Sequence, residues 1–241
     1  VVRIEAVMEA AARGAADGAG LLDAFDALLA ERMRDAVGLK SIVAYRATFA
    51  FDQTDPPEAE AREAAEAWLA VIAREGWRRL ESPVLLRRAL FRAIEACAPR
   101  RLPLQLHVGF GDRDIAMARC DPTLFAPFIE AAEARDVPVT LLHCHPFERE
   151  AGWMAEVWSN VFLDVGAVLS FAGPSAPRVL AESLTLAPFF KQLYSSDAFG
   201  LAELHLLGRI QFERAFRSVT DGWIAAGDAT AADIDRLAAA M

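Results

Sequence analysis

Apolar positions along this chain follow two periods. Short apolar runs, several of them β-branched, end on polar side chains: VGLKSIVAYR around Lys40, PLQLHVGFGD at His107, PVTLLHCHPF at His143 and His145, VFLDVG at 161–166, and KQLYSSDAFG at Asp197. Runs of this length bounded by turn residues predict buried strands. Between them the apolar residues take helical spacing. Residues 1–34 predict two helices broken around Gly14 to Gly20, followed by a strand over Ala36 to Phe49. The next helix is expected to be capped by Thr54 or Asp55, to carry Pro56 and Pro57 in its first turn, and to end at Gly76. Another covers Ser82 to Cys97, with Pro83 near its first position.

From there the alternation is regular. Helices are expected over Pro122 to Arg135, Ala151 to Trp158 and Ala176 to Ala187, with closing helices from Ala202 onward. Strands alternating with helices favour a parallel sheet. The fold expected is α/β, a TIM-barrel-like (β/α)8 arrangement that is incomplete, since five strands are legible and a closed barrel needs eight. No linker interrupts the chain, so residues 1–241 are expected to form one domain with 1–34 as a helical lead-in.

Composition narrows the functional classes. A formal charge of −9 argues against nucleic acid, because phosphate binding needs a basic face. The local cluster Arg87, Arg88, Arg92, Arg100 and Arg101 reads as the solvated side and exit of one helix. No apolar run is long enough to span a bilayer and no leader pattern stands at the amino terminus, so a soluble, cytoplasmic protein is expected, with a small-molecule substrate and no membrane partner. The three cysteines lack CxxC spacing, which argues against a disulfide framework, and Cys144 reads as a small buried apolar residue.

The strand-end residues carry the candidate chemistry. A catalytic divalent cation is held by imidazoles and carboxylates with one position left for water, whose pKa it lowers from about 15.7 to about 7. His107, His143 and Asp197 are the right residue types, each following an apolar run. A carboxylate nearby serves as general base and returns the proton to the leaving group. Each residue alone has an ordinary structural reading, as a hydrogen-bonded histidine or a helix-capping aspartate. Their occurrence in series, with two or three of only four histidines at strand ends, favours a site. His205, in a helical stretch, reads as structural. Lys40 reads either as a snorkelling lysine or as a lysine carboxylated by carbon dioxide, which burial favours by lowering its pKa.

At GLKSIVAYR (38–46), LPLQLHVGFGD (102–112), LLHCHPFEREAGWMAEVWSNVFLDVG (141–166) and LYSSDA (193–198), the chain resembles the amidohydrolase-related branch of the amidohydrolase superfamily. The last motif usually has Gly-Thr where Ser195 and Ser196 stand. The resemblance implies a metal-dependent hydrolase on a distorted TIM barrel, with His107, His143 and Asp197 as metal ligands, Asp197 also as general base, and Lys40 at a fourth ligand position, carboxylated in some members. His145, Arg149 and Trp153 fall where substrate contacts are expected. Zinc is the metal expected, with manganese and iron as alternatives. The family's first-strand His-x-His pair is missing, which matches the strand count and leads to the expectation of a barrel lacking its first three strands. An open sheet would expose an edge and favour association into a homo-oligomer.

The leading functional reading is hydrolysis of an amide or other C–N bond. Non-oxidative decarboxylation or isomerisation on the same fold is the chemical alternative, and a non-catalytic truncated barrel is the alternative of a different class.

Overall fold

A computed structural model describes residues 1–241. Five strands form one sheet in sequence order: β1 (Val2–Arg3), β2 (Leu39–Ser41), β3 (Leu104–His107), β4 (Val139–Leu142) and β5 (Val161–Leu163). The sheet is parallel, with Val2 opposite Leu39, Lys40 opposite Gln105 and Ser41 opposite Leu106. This is a parallel α/β architecture of the (β/α)-barrel type, carrying five of the eight strands that a closed barrel uses.

The chain divides into two compact units, one comprising Val1–His107, Arg113–Cys120 and Leu124–Val139, the other Val108–Asp112, Asp121–Thr123 and Thr140–Met241. In the first, α1 (Ile4–Ala12) buries Ile4, Val7, Met8 and Ala11, the one-face spacing of an amphipathic helix. Helix α2 (Gly18–Met33) starts where Asp17 accepts the Gly20 N–H at 2.7 Å. A single turn, α3 (Val43–Arg46), leads toward α4 (Glu58–Glu75). Helix α5 (Pro83–Cys97) begins as expected, with Ser82 capping and Pro83 at the first position, and buries Leu85, Leu86, Ala89, Leu90, Ala93 and Ile94. Phe125, at the entry to α6 (Ala126–Glu133), stacks between Phe49 and Phe128 at 4.7 Å on each side.

In the second unit the elements are α7 (Glu148–Val157), α8 (Gly166–Ala172), α9 (Ala176–Ser183), α10 (Ala202–Ala226) and α11 (Ala231–Ala240). Lys191 donates from Nζ to the carbonyls of Ala155 (2.6 Å) and Trp158 (2.7 Å), covering the carboxyl end of α7 with a cation where the helix dipole is negative. No helix is long and apolar enough to cross a membrane.

Five expectations are corrected. The strand expected over Ala36 to Phe49 shrinks to Leu39–Ser41. Beyond it, Glu5 Oε1 accepts the Ile42 N–H (2.9 Å) and Ser41 Oγ accepts the Val43 N–H (3.1 Å), so side chains take the donors that a sheet ladder would need. The strand expected at KQLYSSD is reduced to one bridge, Leu163 to Gln192, with the Leu193 N–H donating to Leu163 O at 2.8 Å. A fifth strand stands instead at Val2–Arg3, two residues too short to show a period. Finally, Arg87 and Arg88 are buried rather than solvated, paired with Asp52 (2.7 Å) and Glu60 (3.1 Å), and with Glu58 (2.8 Å). The expected cap of α4 also differs: Pro57 precedes its first turn, and Asp52 accepts from Thr54 in the turn before.

Candidate metal centre

His107 and His143 stand at or just past the carboxyl ends of β3 and β4, where parallel α/β folds build their sites, while Lys40 lies within β2 and Asp197 five residues past the bridge at Gln192. In the first unit, His107 closes β3, and its buried ring lies 4.6 Å from that of Tyr45. Lys40 is half-buried in β2, between the fully buried Leu39 and Ser41. Glu5, in the first turn of α1 just after β1, is wholly buried and accepts the Ser41 hydroxyl at 2.6 Å. Burial raises its pKa above the ordinary carboxylate value, and the Ser41 and Ile42 hydrogen bonds oppose that rise.

In the second unit, His143 follows β4 and is 1 % exposed. Its Nε2 lies 3.7 Å from Asp197 Oδ2. Both residues have left-handed backbones, with φ of 74° at His143 and 46° at Asp197, and Cys144 follows at 50°. A non-glycine residue in this region costs about 1–2 kcal/mol and is found where the surroundings hold it, often at functional sites. Here the restraints are visible. Asp164, buried at the end of β5, accepts the His143 N–H (3.0 Å) and the Gly166 N–H (2.9 Å) on Oδ1. His143 O receives the His145 N–H at 2.6 Å, and His145 O receives the Phe110 N–H at 2.6 Å.

Two glycines make this packing sterically feasible. A Cβ on Gly109 would stand 2.2 Å from His145 O, and one on Gly166 would stand 2.2 Å from both the carbonyl oxygen and the hydroxyl of Ser195, two residues before Asp197. Gly109 also has φ of 65°.

The donor set fits a cation in part. Two ligands of one ion, each about 2.0–2.2 Å from it, lie roughly 3–4 Å apart. The His143–Asp197 separation falls within that range. No group of three or more His, Cys, Asp or Glu side chains converges as a metal-holding set, so this pair supplies two positions. Cys144 lies between two histidines but is buried, its Sγ 3.2 Å from Leu141 O, and burial raises its thiol pKa well above the usual value. That favours the inert thiol.

The other candidates separate. His145 Nδ1 contacts Glu148 Oε1 at 2.5 Å, and Arg149 pairs with Glu182; all four line one cavity of about 780 Å³. Trp153 is on α7, packed edge-on against Trp158 at 5.3 Å, and does not line that cavity. His205 is exposed on α10, 3.5 Å from Ser196 Oγ. Asp164 was missed by the sequence reading, although an aspartate directly after the apolar VFL is the signal that drew attention to Asp197.

A parallel α/β sheet of the barrel type that brings a histidine and an aspartate together is an architecture that metal-dependent hydrolases use. Within that class, the amidohydrolase family profile matches residues 3–234, and the chain belongs to this family. It is similar to the protein fluG of Emericella nidulans, 32% identical over 221 residues, covering 86% of this chain and 25% of the relative. It is also similar to the crystal structure of an inferred metal-dependent hydrolase from Lactobacillus casei ATCC 334, with a TM-score of 0.83 and 30% identity over 90% of this chain and 57% of that one. The chain thus spans about a quarter of the first relative's length and just over half of the second's.

Proposed function

We propose that this amidohydrolase-family chain supports metal-dependent hydrolysis of an amide or other C–N bond, with His143 and Asp197 holding the metal and Asp197 moving the proton. The observation that carries this reading is the 3.7 Å approach of His143 Nε2 to Asp197 Oδ2, both on left-handed backbone, with His143 tied through its N–H to Asp164. When bound, a divalent cation supplies Lewis acidity that brings a water's pKa down to about 7.

The chain's own residues do the remainder. Asp197 is about half exposed, so its carboxylate can accept a proton from water and return it to the departing nitrogen. His143, almost wholly buried, stays fixed while Asp197 reaches solvent. Asp164 is the positioning residue that holds His143. The family resemblance assigns His107 and Lys40, both in the first unit, as further ligands, the Lys40 position being carboxylated in some members, and zinc as the preferred ion; these assignments enter the test below.

The test is elemental analysis of the purified chain beside His107→Ala, His143→Ala, Asp197→Asn and Lys40→Ala, followed by a screen of amide substrates. Near-stoichiometric metal that is lost in His143→Ala and reduced in Asp197→Asn is expected, with hydrolysis abolished in both. Unchanged metal in His143→Ala would refute the site, and carbon dioxide release without amide cleavage would replace hydrolysis by decarboxylation. No metal in any form would point to a non-catalytic module.

A further inference from the structure

The cavity beside His145 lies entirely in the second unit and combines an apolar wall with an unequal set of charges. Its volume, about 780 Å³, falls in the range of small-molecule sites. Val168 and Val179 are nearly fully buried at its base, and the rings of Phe110 and Phe171 meet at 5.1 Å, inclined by 50°. Phe171 is 75% exposed, an unusual state for a phenylalanine that faces a cavity, and a ligand seated there would cover it.

The charges nearly all have partners. Glu148 contacts His145 Nδ1, and Glu182 accepts from Arg149 Nε, a hydrogen bond that holds the Glu182 carboxyl below its ordinary pKa. Arg178, one turn before Glu182 on α9, lines the cavity with no ion pair of its own, although its charge contributes to holding the Glu182 carboxyl down. The remaining acid, Glu150, is in the first turn of α7, where the helix dipole stabilises it. One cation is therefore open to a ligand anion, while the carboxylate-rich rim opposes a second negative charge.

We infer that this cavity binds a monocarboxylate with an aromatic or branched apolar body, the acid on Arg178 and the body on Phe110 and Phe171. An Arg–carboxylate contact is planar and two-pronged, so it selects the acid over an uncharged isostere. The cavity as a binding site stands on its own geometry. That its ligand is the substrate, making the substrate a carboxylate-bearing amide, rests on the hydrolase reading above.

The experiment is calorimetric titration of the metal-stripped full chain with phenylacetate and with phenylacetamide, repeated on Arg178→Gln and Phe171→Ala. Arg178 and Phe171 are both exposed, and circular dichroism of the variants checks the fold. The acid should bind about tenfold tighter than the amide, in keeping with one charge-assisted pair. Arg178→Gln should abolish that preference and leave amide binding unchanged, and Phe171→Ala should weaken both several-fold. Equal binding of the two, binding of neither, or a preference that survives in Arg178→Gln would overturn the proposal. Because metal is removed beforehand, absence of hydrolysis in the earlier test leaves this result intact. Phenylacetate binding to a chain that hydrolyses nothing would keep the site and remove only its role as the substrate pocket.

Discussion

Removing the Asp164 carboxylate should uncouple His143 from β5, and the structure sets the scale. Asp164 Oδ1 accepts two backbone N–H groups, those of His143 at 3.0 Å and Gly166 at 2.9 Å, in a site where Asp164 itself is 2 % exposed. Truncation to alanine strands both donors, and each buried unsatisfied donor costs about 1–3 kcal/mol. The left-handed His143 also loses the contact that holds it, releasing about 1–2 kcal/mol of backbone strain and offsetting part of that cost. The net loss for Asp164→Ala is therefore about 1–4 kcal/mol, a large share of the roughly 5–15 kcal/mol that stabilises a typical domain. Asp164→Asn keeps an acceptor oxygen in the same place and should lose only about 1 kcal/mol, through the missing charge. Urea unfolding monitored by tryptophan fluorescence measures both. Metal affinity should follow the same order, falling about 10–100-fold in the alanine variant, as it does when residues that orient a ligand are removed. If Asp164→Ala lost less than about 1 kcal/mol while the asparagine variant matched it, the two hydrogen bonds would not be what holds His143.

The other predictions concern the surrounding frame. Gly109→Ala should cost about 2 kcal/mol or more, because its Cβ would meet His145 O at 2.2 Å on a backbone with φ of 65°, and a melting temperature equal to the parent's would contradict this packing. Glu5 has a raised pKa, so the stability linked to its protonated form is present below the ordinary value of 4.5 and is lost as pH rises through the shifted one. Glu5→Gln keeps the acceptor for Ser41 and Ile42 without the charge, so its melting temperature should gain on the parent's as pH is raised from 4.5 to 7, and a pH-independent difference would count against burial as the cause. Thr230→Ala removes the reciprocal cap with Asp233 and should cost about 0.5–2 kcal/mol, seen by hydrogen exchange as earlier fraying of α11.

The strand ends that matter could be read from the chain alone. PLQLH and PVTLLH place His107 and His143 where strands stop because short apolar runs followed by polar residues are a local signal, and the Ser-Pro start of α5 is a local hydrogen bond. Local pattern also gave the parallel α/β class and the family resemblance. It failed where distant groups intervene. Residues 42–46 read as strand because Ile42, Val43 and Tyr45 favour extended backbone, yet Glu5, 37 positions before Ile42, takes the Ile42 N–H and ends the ladder. Arg87 and Arg88 read as solvated because sequence cannot show that Asp52, Glu58 and Glu60 fold over them. The two-residue β1 carries no period at all. Sequence by itself thus determined which residue types stand at the ends of strands, since that depends on neighbours along the chain. Only the tertiary structure decided that His143 and Asp197 approach to 3.7 Å, that Asp164 holds the first of them, and that Arg178 opens onto a cavity with Phe110 and Phe171. Most of these are meetings between segments tens of residues apart, and their geometry is set by packing that no local pattern records.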